Sequence, residues 1–371
     1  MRPWKRIFTF VFLVQCILLL THFFLYETWI FSPGTVDPPP STVLKLSFAV
    51  LSFSFVAASL FAFRYNNSPI RLFYTAAAVW LGFVNFFFVA AVFAWAAWVF
   101  FRIAGLPMNF HRTVEGFFVM ACLAASYAVW NANRTRVVRA TVRLPKLPAS
   151  WRGRTAALVS DLHLGHVHNG RFLKRIVAKI MNERPDVVFI PGDLYDGTSI
   201  DASAAASPLA QLRATHGVYF VAGNHEQFGD DTRYLRAIEE AGVRVLRNEK
   251  VDLDGLQVVG VPFRDAAHGS SFASNLNRAS IDQTRASILL THAPDNPAIA
   301  EAAGFSLQLS GHTHLGQFFP WTWFVRRIYR QFAYGWSRIG NMQVFTSSGA
   351  GTWGPPLRMG SNPEIVILRF E

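Results

Sequence analysis

The hydrophobic pattern divides the chain near residue 134. Before that point lie four long runs that are almost wholly apolar, at residues 7–30, 43–63, 72–101 and 114–130. A helix needs about 20 apolar residues to cross the hydrocarbon core of a bilayer. The first three runs reach that length; the fourth, with 17 residues, falls short. The expectation is a four-helix membrane anchor over residues 1–134. A cleaved leader is the alternative for the first run, because Arg2, Lys5 and Arg6 precede it. Its far end, from His22 to Trp29, is bulky and offers no small-residue cleavage site, so an uncleaved span is expected.

From residue 154 short apolar runs alternate with helical patterns. Strands are expected at 155–160, 186–190, 217–221, 243–246, 250–253, 256–261, 287–290, 307–309, 343–346 and 364–370. Helices are expected at 170–182, 202–214 and 230–241. In the first of these, Phe172, Ile176, Val177 and Ile180 recur at helical spacing with basic residues between them, and Pro185 stops the run. The strands at 250–253 and 256–261 join around Asp254-Gly255, a hairpin signal. Alternation followed by consecutive strands predicts an α/β domain over 153–371, built on a mixed sheet or on two packed sheets flanked by helices. Residues 135–152 mix arginines with Pro145 and Pro148 and read as a connector at the membrane surface.

Composition sharpens this division. A chain that is 51% hydrophobic and 16% charged is too apolar for an ordinary soluble protein. The net charge of +12 is uneven: residues 1–150 hold 13 Lys/Arg against 3 Asp/Glu, and the remainder holds 22 against 20. The second half is thus near neutral, which argues against a nucleic-acid partner. Cys16 and Cys122 lie in apolar runs, so the second half has neither a disulfide framework nor a thiolate metal site. Basic residues precede the first run, and Arg134, Arg136, Arg139, Arg143 and Lys146 follow the fourth. The loop 32–41 has none, while 64–71 and 102–113 have two each. The positive-inside rule then places the second half in the cytoplasm, beneath a bacterial inner membrane, and inverts if the fourth run does not span. Apart from Lys45 near a run's end, no Asp, Lys or Arg lies inside the runs. A transport path normally needs such groups, so an anchor is expected.

The candidate chemistry sits where the expected strands end. Five short clusters fall there: Asp161-Leu162-His163, Gly192-Asp193-Leu194-Tyr195-Asp196, Gly223-Asn224-His225-Glu226, Thr291-His292-Ala293 and Gly311-His312-Thr313-His314. That edge of an α/β sheet is where ligands bind. The clusters offer Asp161, His163, Asp193, Asn224, His292, His312 and His314 as metal donors. Carboxylate, amide and imidazole without thiolate suit Mn²⁺, Fe or Zn²⁺ better than a soft metal, and the set exceeds the need of one ion. Two ions about 3.5–4 Å apart can clamp a phosphate, acidify a water between them and stabilise a leaving oxygen.

In order and spacing these clusters resemble the motifs of the calcineurin-like metallophosphoesterases, D-x-H, G-D-x-x-D, G-N-H-D/E, H and G-H-x-H. The resemblance covers roughly residues 135–371. Residues 310–317, Arg247-Asn248-Glu249, the tail 349–356 and Pro363-Glu364-Ile365 are similar to a membrane-associated subgroup. That subgroup includes bacterial phosphoesterases, animal transmembrane proteins with this domain and a UDP-2,3-diacylglucosamine hydrolase. Leu315 stands where many relatives carry glycine and Ala293 where many carry glutamine. The resemblance implies a four-layer sandwich of two mixed β-sheets flanked by helices. It also implies two divalent ions, with manganese expected and iron or zinc as alternatives. Asp161, His163 and His314 would hold the first ion, Asn224, His292 and His312 the second, and Asp193 would bridge. His225 would face the substrate and protonate the leaving oxygen. No substrate-binding residue and no oligomeric state is assigned.

The expected function is a membrane-anchored hydrolase of a phosphodiester or pyrophosphate bond. An anchor suits a lipid-linked substrate such as UDP-2,3-diacylglucosamine. The alternative is a non-catalytic metal-binding scaffold or regulatory domain. Other polar residues carry plainer expectations: Asp196 supports the site or caps a turn, Glu226 orients His225 or faces solvent, His166 and His168 are solvated, and Tyr195 packs. Gly349, Gly351 and Gly354 form a backbone turn. The segment 321–336 holds Trp321, Trp323, Phe324, Tyr329, Phe332, Tyr334 and Trp336 with Arg326, Arg327 and Arg330. That composition fits a membrane interface as well as it fits a buried loop.

Overall fold

The four apolar runs fold as four helices: α1 (Pro3–Ile30), α2 (Thr42–Arg64), α3 (Ser68–Ile103) and α4 (Phe110–Ala132). The structure, a computed structural model, describes residues 3–31, 42–228 and 231–371. The expected loop 32–41, Arg2 and the expected helix start at Asp230 lie outside the described residues. All four helices are long and apolar enough to cross a membrane, with spans of 23, 23, 36 and 23 residues. The fourth outgrows its apolar run because polar residues at both ends, including His111, Arg112 and Asn131, are helical as well. Asn67 starts α3, its side chain accepting from the Ile70 amide at 3.0 Å. Between the helices lie small residues: Ala58, Ala62, Ala78, Ala91 and Ala94 are buried. Trp80 Nε1 donates to His22 Nε2 at 3.0 Å, and Trp95 Nε1 donates to Thr28 Oγ1 at 2.9 Å. Phe8, Ile17, Leu20 and Leu123 point outward. Small and polar residues inside with large apolar ones outside is the pattern that hydrocarbon selects.

The second unit, residues 131–353 with 358–371, holds two six-stranded sheets. Its strands are β1 (Arg136–Val142), β2 (Thr155–Leu158), β3 (Val187–Pro191), β4 (Val218–Val221), β5 (Arg244–Val245), β6 (Glu249–Leu253), β7 (Leu256–Val261), β8 (Ser287–Thr291), β9 (Leu307–Ser310), β10 (Gly335–Ile339), β11 (Met342–Thr346) and β12 (Glu364–Phe370). The first sheet runs β1-β12-β2-β3-β4-β5, with only the β12–β2 pair antiparallel. The second runs β10-β11-β9-β8-β7-β6, with antiparallel pairs at its two edges.

Alternation along the strands builds the layers. Val187 and Phe189 of β3 face Ile288 and Leu290 of β8 in a core between the sheets. Val188 and Ile190 face the other way, onto α5 (Gly170–Asn182) and α7 (Thr232–Glu240) through Ile176, Ile180 and Ile238. Leu289 of β8 turns away from the first sheet toward Phe272 and Leu276 of α9 (Gly269–Ala279) and Ala300 of α10 (Pro297–Ala302). The α6 (Ala202–Ala206) and α8 (Phe263–Ala267) helices are single turns, and α11 (Trp321–Tyr329) follows β9. The expected α/β sandwich of two mixed sheets flanked by helices is therefore what the chain adopts.

Some elements differ from the sequence reading. Residues 136–142, read as a connector, add edge strand β1, paired parallel to β12. The helix expected over 202–214 stops at Ala206 and becomes a 3-10 turn over Ser207–Gln211, because Pro208 has no amide to donate. Helices α8 to α11 and strand β10 were not foreseen.

Candidate metal centre

Strands β2, β3 and β4 of one sheet and β8 and β9 of the other end at the same place, and each delivers polar side chains there. Five of the expected donors leave their strands through left-handed backbone: φ is 54° at Asp161, 48° at His163, 52° at Asp193, 72° at His312 and 48° at His314. Non-glycine residues in that region cost roughly 1–3 kcal/mol each, and such strain gathers at functional sites. Backbone donors fix the carboxylates. The His225 amide donates to Asp193 Oδ1 at 3.0 Å, and the His312 amide donates to Asp161 Oδ1 at 3.0 Å. Glycine is needed beside each: a Cβ on Gly223 would overlap the Asp193 carboxylate, and one on Gly311 would overlap that of Asp161. Leu315 also has φ 48°, a backbone glycine adopts without cost, although its side chain is buried.

The seven expected donors converge in two groups that meet at Asp193. In the first, His163 Nε2 lies 3.0 Å from His314 Nε2, and His314 Nε2 lies 3.5 Å from Asp161 Oδ1. In the second, His292 Nε2 lies 3.0 Å from both His312 Nδ1 and Asn224 Oδ1. Asp193 Oδ2 is 3.7 Å from His163 Nε2 and 3.2 Å from His292 Nε2, so it faces both groups. Ligand atoms within Asp161–His163–His314, and within Asp193–His292–His312, lie within 4.8 Å of one another. His163, Asp193 and His225 form a third such group.

Electrostatics test whether this donor set fits divalent ions. Burial pushes the Asp161 carboxyl up to about 6. Burial also drives His163 and His314 well below the usual imidazole range and His312 to about 3. At Asp193 burial works against the charge, but His292 and its neighbouring imidazoles hold the carboxyl below its ordinary value. Burial opposes charge at His292 too, yet Asp193 and Asp161 lift it to about 10. His163, His312 and His314 resist protonation beside two buried carboxylates whose counter-charge is His292, and dications bound there would take over that counter-charge. The geometry agrees. His163 Nε2 and His314 Nε2, 3.0 Å apart, are close enough for one ion to be held by both. His292 Nδ1 donates to the Pro191 carbonyl at 2.7 Å, which leaves Nε2 facing the cluster, where a bound ion would displace its proton. The residues present fit two divalent ions.

His225 stands at the rim of the cluster. Its Nδ1 donates to the Asp196 carbonyl at 2.9 Å, which turns Nε2 inward to 3.9 Å from Asp193 Oδ2. Burial lowers its pKa. Two exposed aromatic rings flank it, Phe228 at 4.5 Å and Trp353 at 5.8 Å between centroids.

Several supporting residues escaped the sequence reading. Glu226 neither orients His225 nor faces solvent. It is fully buried and accepts from the amides of Asp193, Tyr195 and Gly223 at 3.0, 3.0 and 2.9 Å. Arg358 is also fully buried; it donates to the carbonyls of Ser348, Gly351 and His314, and its Nη2 lies 3.1 Å from His314 Nδ1. His166 and His168, expected in solvent, are buried against the hydroxyls of Thr198 and Thr352. Asp196 does support the site, through its carbonyl on His225 and its carboxylate on Thr198. Tyr195 packs against Tyr234 as expected.

The calcineurin-like phosphoesterase family model matches residues 155–316, which hold all seven donors and His225. An uncharacterized metallophosphoesterase of Helicobacter pylori strain J99 is 30% identical over 344 residues, covering 89% of this chain and 91% of that one. A Campylobacter jejuni relative, also an uncharacterized metallophosphoesterase, is 32% identical over 246 residues, 65% of each chain. A Danio rerio transmembrane protein with metallophosphoesterase domain is 32% identical over 278 residues, 70% of this chain and 63% of that one. Similar proteins thus occur in bacteria and in animals. Likeness over nearly the whole H. pylori relative, together with the cluster at the strand ends, places this chain in the calcineurin-like metallophosphoesterase family, as a domain of that family joined to a membrane-spanning region.

Proposed function

We propose that the protein is a metal-dependent phosphoesterase that hydrolyses a phosphodiester or pyrophosphate bond of a lipid-linked substrate, with UDP-2,3-diacylglucosamine as one candidate. The observation that carries the reading is the position of Asp193, whose Oδ2 faces both His163 and His292 and so joins two donor groups. Asp161, His163 and His314 would hold one ion, Asn224, His292 and His312 the other, and Asp193 both. Manganese is the expected ion and iron or zinc the alternative. When bound, the ions would supply positive charge that draws in the phosphoryl group and acidifies the attacking water.

The chain's own residues do the rest. Gly223 and Gly311 keep side chains out of the space beside the carboxylates, so backbone amides can hold them in place. His225, with Nδ1–H committed to the Asp196 carbonyl, turns Nε2 toward the leaving oxygen; protonated there as the imidazolium, the form that the Asp193 carboxylate favours against burial, it gives that proton up as the P–O bond breaks. Water forms the new P–O bond, so no protein nucleophile is required. The catalytic domain, residues 153–371, faces the cytoplasm.

The test is turnover by the full chain, stripped of metal and reloaded with Mn²⁺, Fe²⁺ or Zn²⁺, on phosphomonoesters, phosphodiesters and lipid pyrophosphates. Metal-dependent hydrolysis of a lipid diester or pyrophosphate is expected. Full metal loading with no turnover on any of them would favour a non-catalytic scaffold.

A further inference from the structure

Helix α11 begins seven residues after His314, and its other end returns to the cluster. The Tyr329 ring lies 6.1 Å from that of His312, and Thr313 Oγ1 donates to the Ala333 carbonyl at 2.7 Å. Thr322, Val325 and Tyr329 face inward at helical spacing, yet no residue of the helix is fully buried. On another flank Trp321, Phe324 and Ile328, at i, i+3 and i+7, form a stripe that is 52%, 44% and 70% exposed. Trp323 packs edge-on against Phe324 and is 57% exposed. The segment is therefore not a buried loop.

The charges carried by α11 and its C-cap are all positive. Arg326, Arg327 and Arg330 are exposed, and none forms an ion pair among the described residues. Elsewhere in the domain Arg139, Arg247 and Arg285 lie 2.6 Å from the carboxylates of Glu183, Glu239 and Asp252. An apolar stripe bordered by arginines without carboxylate partners matches a surface that is greasy below and anionic above. The four membrane-spanning helices of the same chain keep such a surface within reach.

We infer that α11 docks on an anionic bilayer surface, with Trp321, Phe324 and Ile328 entering the headgroup–acyl boundary and Arg326, Arg327 and Arg330 on lipid phosphates. Docking brings the turn of His312 and His314 to the level of lipid headgroups. As the route by which a lipid-linked phosphoester reaches the site, it rests on the function proposed above; as a lipid contact, it can be measured with no turnover.

The experiment uses the full chain in nanodiscs of phosphatidylcholine, with or without phosphatidylglycerol. In a Cys16→Ser, Cys122→Ser background, a fluorophore is placed at Ile328→Cys or, as a control on the outer face of α9, at Ser274→Cys. At position 328 a nitroxide-bearing lipid should quench several-fold more than at 274, and aqueous iodide several-fold less. Phosphatidylglycerol should widen the contrast, and Arg326→Gln, Arg327→Gln, Arg330→Gln together should abolish that widening without changing the melting temperature. Equal iodide quenching at both positions would overturn the inference. So would shielding of position 328 from both quenchers, since a protein or a second copy would then cover the helix. Quenching as expected with no hydrolysis would leave docking intact and count against the function alone.

Discussion

Asp193 Oδ2 lies 3.2 Å from His292 Nε2, and the same oxygen lies 3.7 Å from His163 Nε2. One carboxylate thus serves two donor groups, each drawn from both sheets: His163 follows β2 and His314 follows β9, while Asn224 follows β4 and His292 follows β8. Asp193→Ala should therefore remove both ions and not one. Elemental analysis of the purified variant should find neither, with hydrolysis lost in parallel. Retention of one full equivalent would mean that Asp193 belongs to a single group.

His225→Ala should behave differently, because His225 stands at the rim with Nδ1 tied to the Asp196 carbonyl. Metal content should hold, while the rate falls by roughly 10²–10⁴-fold, the usual worth of a positioned general acid. The deficit should shrink for a nitrophenyl ester, whose leaving group needs no proton. Equal deficits for good and poor leaving groups would rule out proton donation and favour His225 as a ligand within its group with His163 and Asp193.

Glu226 offers a test of what holds the site in shape. Its carboxylate accepts three buried amides, from Asp193, Tyr195 and Gly223. Each buried donor left unpaired costs about 1–3 kcal/mol, so Glu226→Ala should cost roughly 3 kcal/mol or more. Glu226→Gln, which keeps one acceptor oxygen, should lose less. Thermal melting of the metal-free variants separates this effect from loss of ions. An alanine variant that melts with the parent protein would show that water replaces the carboxylate without penalty.

The same residue marks the limit of what the sequence made legible. The clustering of the candidate donors could be read because each is a chemically distinctive side chain beside a strand end, often with the glycine its tight backbone demands. Glu226 also stood in view, but its role depends on which amides the folded turn points inward, and no spacing rule encodes that. Arg358 was missed for a related reason. An arginine in a polar tail reads as surface, and only the enclosed carbonyls of Ser348, Gly351 and His314 make its burial favourable. Strand β1 shows no clean alternation because it is an edge strand largely open to solvent, with Arg136 and Arg139 exposed. The layered sandwich was legible because its strands are buried on both faces and separated by helices of regular period.

The last prediction concerns sidedness. Lys5 precedes the apolar part of α1, and Arg134, Arg136, Arg139, Arg143 and Lys146 follow α4. An even number of crossings places both basic clusters on one side, where the positive-inside rule expects them. Of the four helices α4 is the least apolar, with a mean hydropathy of 1.4 against 2.1 to 2.2 for the others, so the orientation depends on it. In a bacterial host, a fluorescent protein fused after Glu371 should glow, and a periplasm-dependent phosphatase at the same point should stay inactive. The reverse result with a cytoplasmic N-terminal tag would mean that α4 does not cross. Substituting Glu115, the one acidic residue of α4, by leucine should then restore the crossing and return the domain to the cytoplasm. If the substitution left the reversed signal unchanged, marginal hydropathy of α4 would not be the cause, and the basic residues after it would not be what orients the chain.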